Sequence, residues 1–203
     1  MKAPRILIAL FLSALFPSLA QAGSDRVSTH FTPEVEPPSF EMSAETAYML
    51  GWIGNPNSYE VGAEFLTARW RFGRVYRNGF FRGYNQFYAL VMGEPIFRGP
   101  ENYYYGVSVG LRYNFLHPDS RLMPYLSGGV GLGWIDSHAD VFGAQGQDFT
   151  FNVLGAAGIS YRINNHWSAS LGLVYQHLSN GGQTDPNPSL NLLGPQVGLT
   201  CSF

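Results

Sequence analysis

From Ser43 onward the chain alternates apolar and polar positions with a period of two, the repeat of strands whose two faces meet different surroundings. Residues 103–115 show it most plainly. Tyr103, Tyr105, Val107, Val109, Leu111, Tyr113 and Phe115 share one face; Tyr104, Gly106, Ser108, Gly110, Arg112 and Asn114 share the other. The same pattern predicts eight strands: Ala44 to Ile53, Tyr59 to about Phe72, Tyr84 to Gly93, Tyr103 to Phe115, Pro124 to Trp134, Phe149 to Arg162, Trp167 through Ser179, and Asn191 to Phe203. Turn residues punctuate them, as at Asn55–Ser58 and Ile163–His166. In the fifth strand Leu126, Val130, Leu132 and Trp134 oppose Ser127, Gly129, Gly131 and Gly133. A face of glycine and serine suits the crowded interior of a narrow barrel.

Composition sharpens this picture. Charged residues are 13% of the chain and aromatics 15%, and after residue 22 there is no apolar run long enough for a spanning helix. The N-terminus has a basic start (Lys2, Arg5), an apolar run from Ile6 to Leu15 and the small-x-small site Ala20-Gln21-Ala22, which predicts a cleaved signal peptide over residues 1–22. A polar, proline-bearing leader is read over 23–42 and a single barrel domain over 43–203. The expected class is all-β, an eight-stranded antiparallel transmembrane β-barrel of the outer-membrane type in a Gram-negative cell. Both termini are expected on the periplasmic side. A secreted lipocalin-like barrel is the competing fold. Subtracting Lys2 and Arg5 from the 12 Lys and Arg leaves 10 basic against 14 acidic residues, no footprint for nucleic acid. The lone Cys201 forms no internal disulfide and reads as a small hydrophobe on an apolar face.

Against this frame three polar residues stand out. The seventh strand has Trp167, Ala169, Leu171, Leu173 and Tyr175 on its apolar face, and continuing the count puts His177 and Ser179 there too. A polar group facing lipid is costly unless paired or near the interface. Asn191 has the same parity in the eighth strand, so a hairpin of the two brings it beside His177. Residues i and i+2 of a strand lie ~6.6 Å apart on one face, within reach of an imidazole and a serine hydroxyl. That pairing suits nucleophilic chemistry, in which histidine takes the serine proton. The plainer alternative is a polar pair at a strand end.

The string His177-Leu178-Ser179-Asn180-Gly181-Gly182, followed by Asn187-Pro188-Ser189-Leu190-Asn191, resembles the outer-membrane lipid A 3-O-deacylase (acyloxyacyl hydrolase) family, and the terminal Phe203 resembles the aromatic last residue of many outer-membrane barrels. The specific likeness covers about the last thirty residues. It implies an esterase that removes a hydroxyacyl chain from lipid A of lipopolysaccharide in the outer leaflet, with Ser179 as nucleophile, His177 as base, and Asn180 and Asn187 near the oxyanion. The family's third member is a glutamate. Here the matching position is Asn191, with Asp185 in the connecting loop as the alternative. An asparagine can orient the ring but brings no charge. A non-enzymatic barrel with a structural or binding role is therefore the alternative function, and a homodimer stays open.

The remaining candidates read as structure. His138-Ala139-Asp140 is a possible metal pair in a polar loop; His117-Pro118-Asp119-Ser120 is a turn, His166 lies in a hairpin turn and His30 in the leader. No metal or other cofactor is expected from these spacings. Glu60 and Glu64 are expected to face a polar lumen with Arg112.

Overall fold

The computed structural model describes residues 36–51, 57–79, 81–117 and 120–203. Residues 1–22, read as a signal peptide, most of the stretch read as leader with His30, Trp52 to Pro56, Phe80, and Pro118 and Asp119 lie outside the described residues. Eight strands follow one another: β1 (Phe40–Gly51), β2 (Tyr59–Tyr76), β3 (Gly83–Arg98), β4 (Tyr103–Phe115), β5 (Leu122–Ile135), β6 (Phe149–Arg162), β7 (Trp167–Ser179) and β8 (Leu190–Ser202). Each pairs antiparallel with the next, and β1 closes the barrel on β8, as in Glu41↔Ser202 and Leu50↔Leu193. Closure leaves no strand edge unpaired, which lipid requires.

β1 opens at Phe40, inside the stretch read as leader, and β2 and β3 run several residues past their expected ends. The aromatic Phe203 sits where the barrel closes, its ring 5.8 Å from that of Phe40 and its backbone N–H donating to the Phe40 carbonyl. One end of the barrel carries β1's start, β8's finish and the turns after β2, β4 and β6. The other, the loop end, carries the connections after β1, β3, β5 and β7.

The outer wall is apolar: Leu66, Val91, Val109, Val130 and Leu171 are all exposed. Inside, the half nearest the termini is polar and tightly paired. Glu45 is buried against Arg69 and also accepts from Ser43 and Gln196, at 2.9 and 2.8 Å. The Arg112 guanidinium lies 3.6 Å over the Tyr125 ring and donates to Asn114 and Ser160, each at 2.9 Å. The glycines of β5 face Tyr88 and Tyr104, whose hydroxyls occupy the space a side chain at Gly129 or Gly133 would need. Among the described residues this interior encloses a cavity of about 40 Å³ beside Glu45, Arg69 and Arg112, a small space between side chains that otherwise fill the lumen.

Towards the loop end the interior holds a buried apolar cluster of Met49, Tyr59, Val61, Ile135, Leu178 and Leu192, alongside the buried pair in which Gln176 donates to Glu94 at 2.9 Å. This corrects the reading of β2. Tyr59, Val61, Ala63 and Phe65 point inward, so Glu60 and Glu64 point outward, away from Arg112. Glu60 pairs with Arg98 at 2.9 Å and accepts from the Tyr48 hydroxyl, while Glu64 accepts from Thr46. The parity was assigned on the rule that apolar side chains face lipid, and that rule inverts where the lumen itself is an apolar core.

Candidate functional site

β7 ends by carrying Tyr175, His177 and Ser179 up the outer wall, while Gln176 and Leu178 point into the barrel. Across the hairpin the register sets His177 opposite Asn191 and Tyr175 opposite Leu193. His177 Nδ1 lies 2.9 Å from Asn191 Oδ1. The same oxygen accepts from the Tyr175 hydroxyl at 2.8 Å, and Asn191 Nδ2 donates to the Ser189 carbonyl at 3.4 Å. With Nδ1–H donated to the amide oxygen, the ring's Nε2 keeps its lone pair, the form a general base needs.

Ser179 is half-buried, and its Oγ accepts two N–H bonds, from the Gly181 backbone at 3.0 Å and from Asn187 Nδ2 at 3.3 Å. Gly181 and Gly182 both take left-handed φ, +69° and +73°, which bends the chain back over the serine at little steric cost. Asn187 is held in turn by the Asn180 backbone N–H, which donates to its Oδ1 at 3.1 Å and so leaves the NH2 end to face Ser179.

The two asparagines singled out in the sequence therefore do different things. The Asn180 side chain is fully buried and spent on the loop, donating to the Thr184 and Pro186 carbonyls at 2.6 and 3.4 Å and accepting from Gly182 N–H at 2.9 Å. Its side chain shapes the loop, whereas Asn187 Nδ2 and the Gly181 N–H both point at the Ser179 oxygen. Asp185 is exposed and does not hydrogen-bond His177, whose Nδ1 goes to Asn191.

A second loop braces the first. Between β5 and β6, Gly146 N–H donates to the Pro186 carbonyl at 2.8 Å, and Gln147 both donates to Gln183 and accepts from Thr184. That loop is itself anchored below, where Gln145 N–H and the Tyr59 hydroxyl both donate to buried Glu101. At its start Asp136 accepts from Tyr103 and Asn102. Burial favours its neutral form, but these hydrogen bonds outweigh burial and hold the carboxyl below the usual aspartate range. His138 lies 3.8 Å from Asp136, and among the described residues no three His, Cys, Asp or Glu side chains gather as a metal set. Cys201 is a free, half-buried thiol.

In the sequence Tyr175 reads only as one more residue of the seventh strand's apolar face. Its signal was present in the parity it shares with His177. The Gly181 N–H could not be singled out, since a backbone donor has no side-chain signature.

Residues 46–200 match the model of a protein family described as lipid A 3-O-deacylase (PagL). No curated protein sequence matches the chain. Among solved structures it is similar to the crystal structure of Neisserial surface protein A (NspA), with a TM-score of 0.61 and 16% identity over 81% of this chain and 97% of that one. It is also similar to the crystal structure of the outer membrane enzyme PagL, with a TM-score of 0.55 and 16% identity over 80% of this chain and 99% of that one. At these identities the structural likeness concerns the fold.

Proposed function

The chain belongs to the lipid A 3-O-deacylase (PagL) family and is a lipid A deacylase of the outer membrane, and from that premise we propose that it releases a 3-O-linked hydroxyacyl chain by serine chemistry at Ser179. The observation that carries the proposal is the setting of the Ser179 oxygen, on the outer wall where two N–H donors converge and next but one to a histidine oriented through Nδ1.

In this mechanism His177 Nε2 takes the Ser179 proton as Oγ attacks the ester carbonyl carbon. The negative charge that develops on the carbonyl oxygen is met by Asn187 Nδ2–H and the Gly181 N–H. The bond to the sugar oxygen breaks, and His177 returns its proton to that oxygen. Water then attacks the acyl-serine with His177 again as base, freeing the hydroxy fatty acid. Lipid A would reach the site from the side, with the loop end outward and the termini periplasmic, an orientation in which the outer leaflet lies level with Ser179. No metal or cofactor enters these steps.

Mass spectra of lipid A from a deacylase-free host, with and without the protein folded in its outer membrane, test the reading: the proposal expects the loss of one hydroxyacyl chain. Unchanged spectra would instead support a barrel with a structural role, the reading favoured by the missing triad carboxylate. Within the site, Asn187→Ala is expected to lower kcat by ~10²–10³-fold, the usual cost of one oxyanion donor, with the heat-modifiable mobility of the folded barrel unchanged. Asn180→Ala should instead open the β7–β8 loop to limited proteolysis. Equal kinetic loss in both variants with both loops intact would return Asn180 to the oxyanion role.

A further inference from the structure

An amide in the third position raises a difficulty that a carboxylate does not. A carboxylate offers His177 an acceptor whichever oxygen faces it, whereas an amide has an oxygen end and an NH2 end. With the NH2 turned to the ring, Nδ1 must supply the lone pair, the ring proton moves to Nε2, and His177 cannot take a proton from Ser179. Something must hold the oxygen end in place.

Two neighbours do so. Asn191 Oδ1 accepts from the Tyr175 hydroxyl at 2.8 Å as well as facing His177, and Asn191 Nδ2 donates to the Ser189 carbonyl at 3.4 Å. Rotating the amide by half a turn would set Oδ1 against that carbonyl, two acceptors with no proton between them. Ser189 is the one non-glycine among the described residues with positive φ, +56°, and it is in this uncommon conformation that its carbonyl receives the amide. Backbone strain in a residue next to a site suggests that the surrounding structure holds it for a purpose. Tyr175 is one full strand repeat, two residues, before His177 on the same wall, so its hydroxyl reaches the shared oxygen without leaving the lipid-facing surface.

We propose that Tyr175 and the Ser189 carbonyl are positioning groups that lock the Asn191 amide with its oxygen toward His177, and so fix the histidine tautomer that the reaction needs. They supply orientation at a position where this chain has an amide and not a carboxylate. The inference rests on His177 being the base, and its test separates the two claims.

The tautomer can be read without turnover, from the ring nitrogen shifts of ¹⁵N-histidine-labelled protein in detergent micelles, with His177 assigned by comparison with His177→Gln. Wild-type protein should show Nδ1 protonated and Nε2 bare when the ring is neutral. In Tyr175→Phe the Nε2–H form should grow, and kcat should fall roughly tenfold with KM little changed, the rate equivalent of about one lost hydrogen bond. In the Asn191→Asp background, where either oxygen serves, Tyr175→Phe should leave the Nδ1–H form in place and change kcat by less than about twofold, a gap well beyond the scatter of independent sites. Heat-modifiable mobility confirms that each variant is folded. An unchanged tautomer in Tyr175→Phe, or the same kcat loss in both backgrounds, would overturn the proposal and leave Tyr175 as packing. A Ser179→Ala variant that kept its activity would refute the serine mechanism while leaving the resonance result standing.

Discussion

Ser179→Ala and His177→Ala are each expected to end deacylation, with kcat falling by the order of 10⁴- to 10⁶-fold. The upper figure is what losing the nucleophile or base costs where a full triad acts as a unit. The lower applies where the third member already gives less than a carboxylate would. The double variant should be no worse than either single one, because a serine without its base and a base without its serine are equally idle. Both side chains lie on the outer wall and neither fills the lumen, so the barrel should fold and shift on heating as before. Release of hydroxy fatty acid from purified lipid A, followed by mass spectrometry, measures the loss. Activity within tenfold of wild type in Ser179→Ala would rule out that residue as nucleophile.

The second large effect is on stability. Arg69→Met would leave Glu45 buried beside a hydrocarbon chain, with Ser43 and Gln196 as its remaining hydrogen-bond partners and Arg112 as the cation still near it. Breaking one side of a buried ion pair costs about 3–5 kcal/mol. The urea midpoint for unfolding from lipid vesicles should drop accordingly, while Glu45→Gln combined with Arg69→Met should recover most of it, since removing both charges removes the uncompensated one. A drop in Arg69→Met worth less than ~1 kcal/mol would mean that the lumen admits enough water to solvate the carboxylate. Deacylation measured below the new midpoint should be unaffected, because the pair lies in the half of the barrel far from Ser179.

Much of this molecule can be read from its one-dimensional pattern, and the exceptions have physical causes. The parities of β4 to β8 were countable because lipid selects apolar residues on one side and a narrow lumen selects glycine, serine and a few polar groups on the other. Trp134, Val130 and Leu126 against Gly133, Gly131 and Gly129 leave little choice. The facing of His177 and Asn191 followed from the same count on two strands of one hairpin. β2 misled because Tyr59, Val61 and Phe65 belong to an apolar plug under the loops, where inside and outside are equally greasy and alternation loses its sign. The division of labour between Asn180 and Asn187 was not legible either. Both are asparagines in one glycine-rich loop, and which amide is spent on backbone carbonyls depends on a fold that Gly146 and Gln147 brace from another loop, more than thirty residues away in sequence. Long-range contacts of that kind leave no local signature.

The wall position of His177 and Asn191 also alters what substrate concentration means for such an enzyme. A site inside a cleft samples a volume, and its rate follows molarity in the surrounding water. A site on the flank of a barrel samples a ring of neighbouring lipids, a two-dimensional crowd whose membership changes only as molecules trade places sideways. Turnover should therefore track the mole fraction of lipid A in the surrounding leaflet or micelle. Adding inert detergent at constant total lipid A should slow the reaction, although every substrate molecule is still present in the tube.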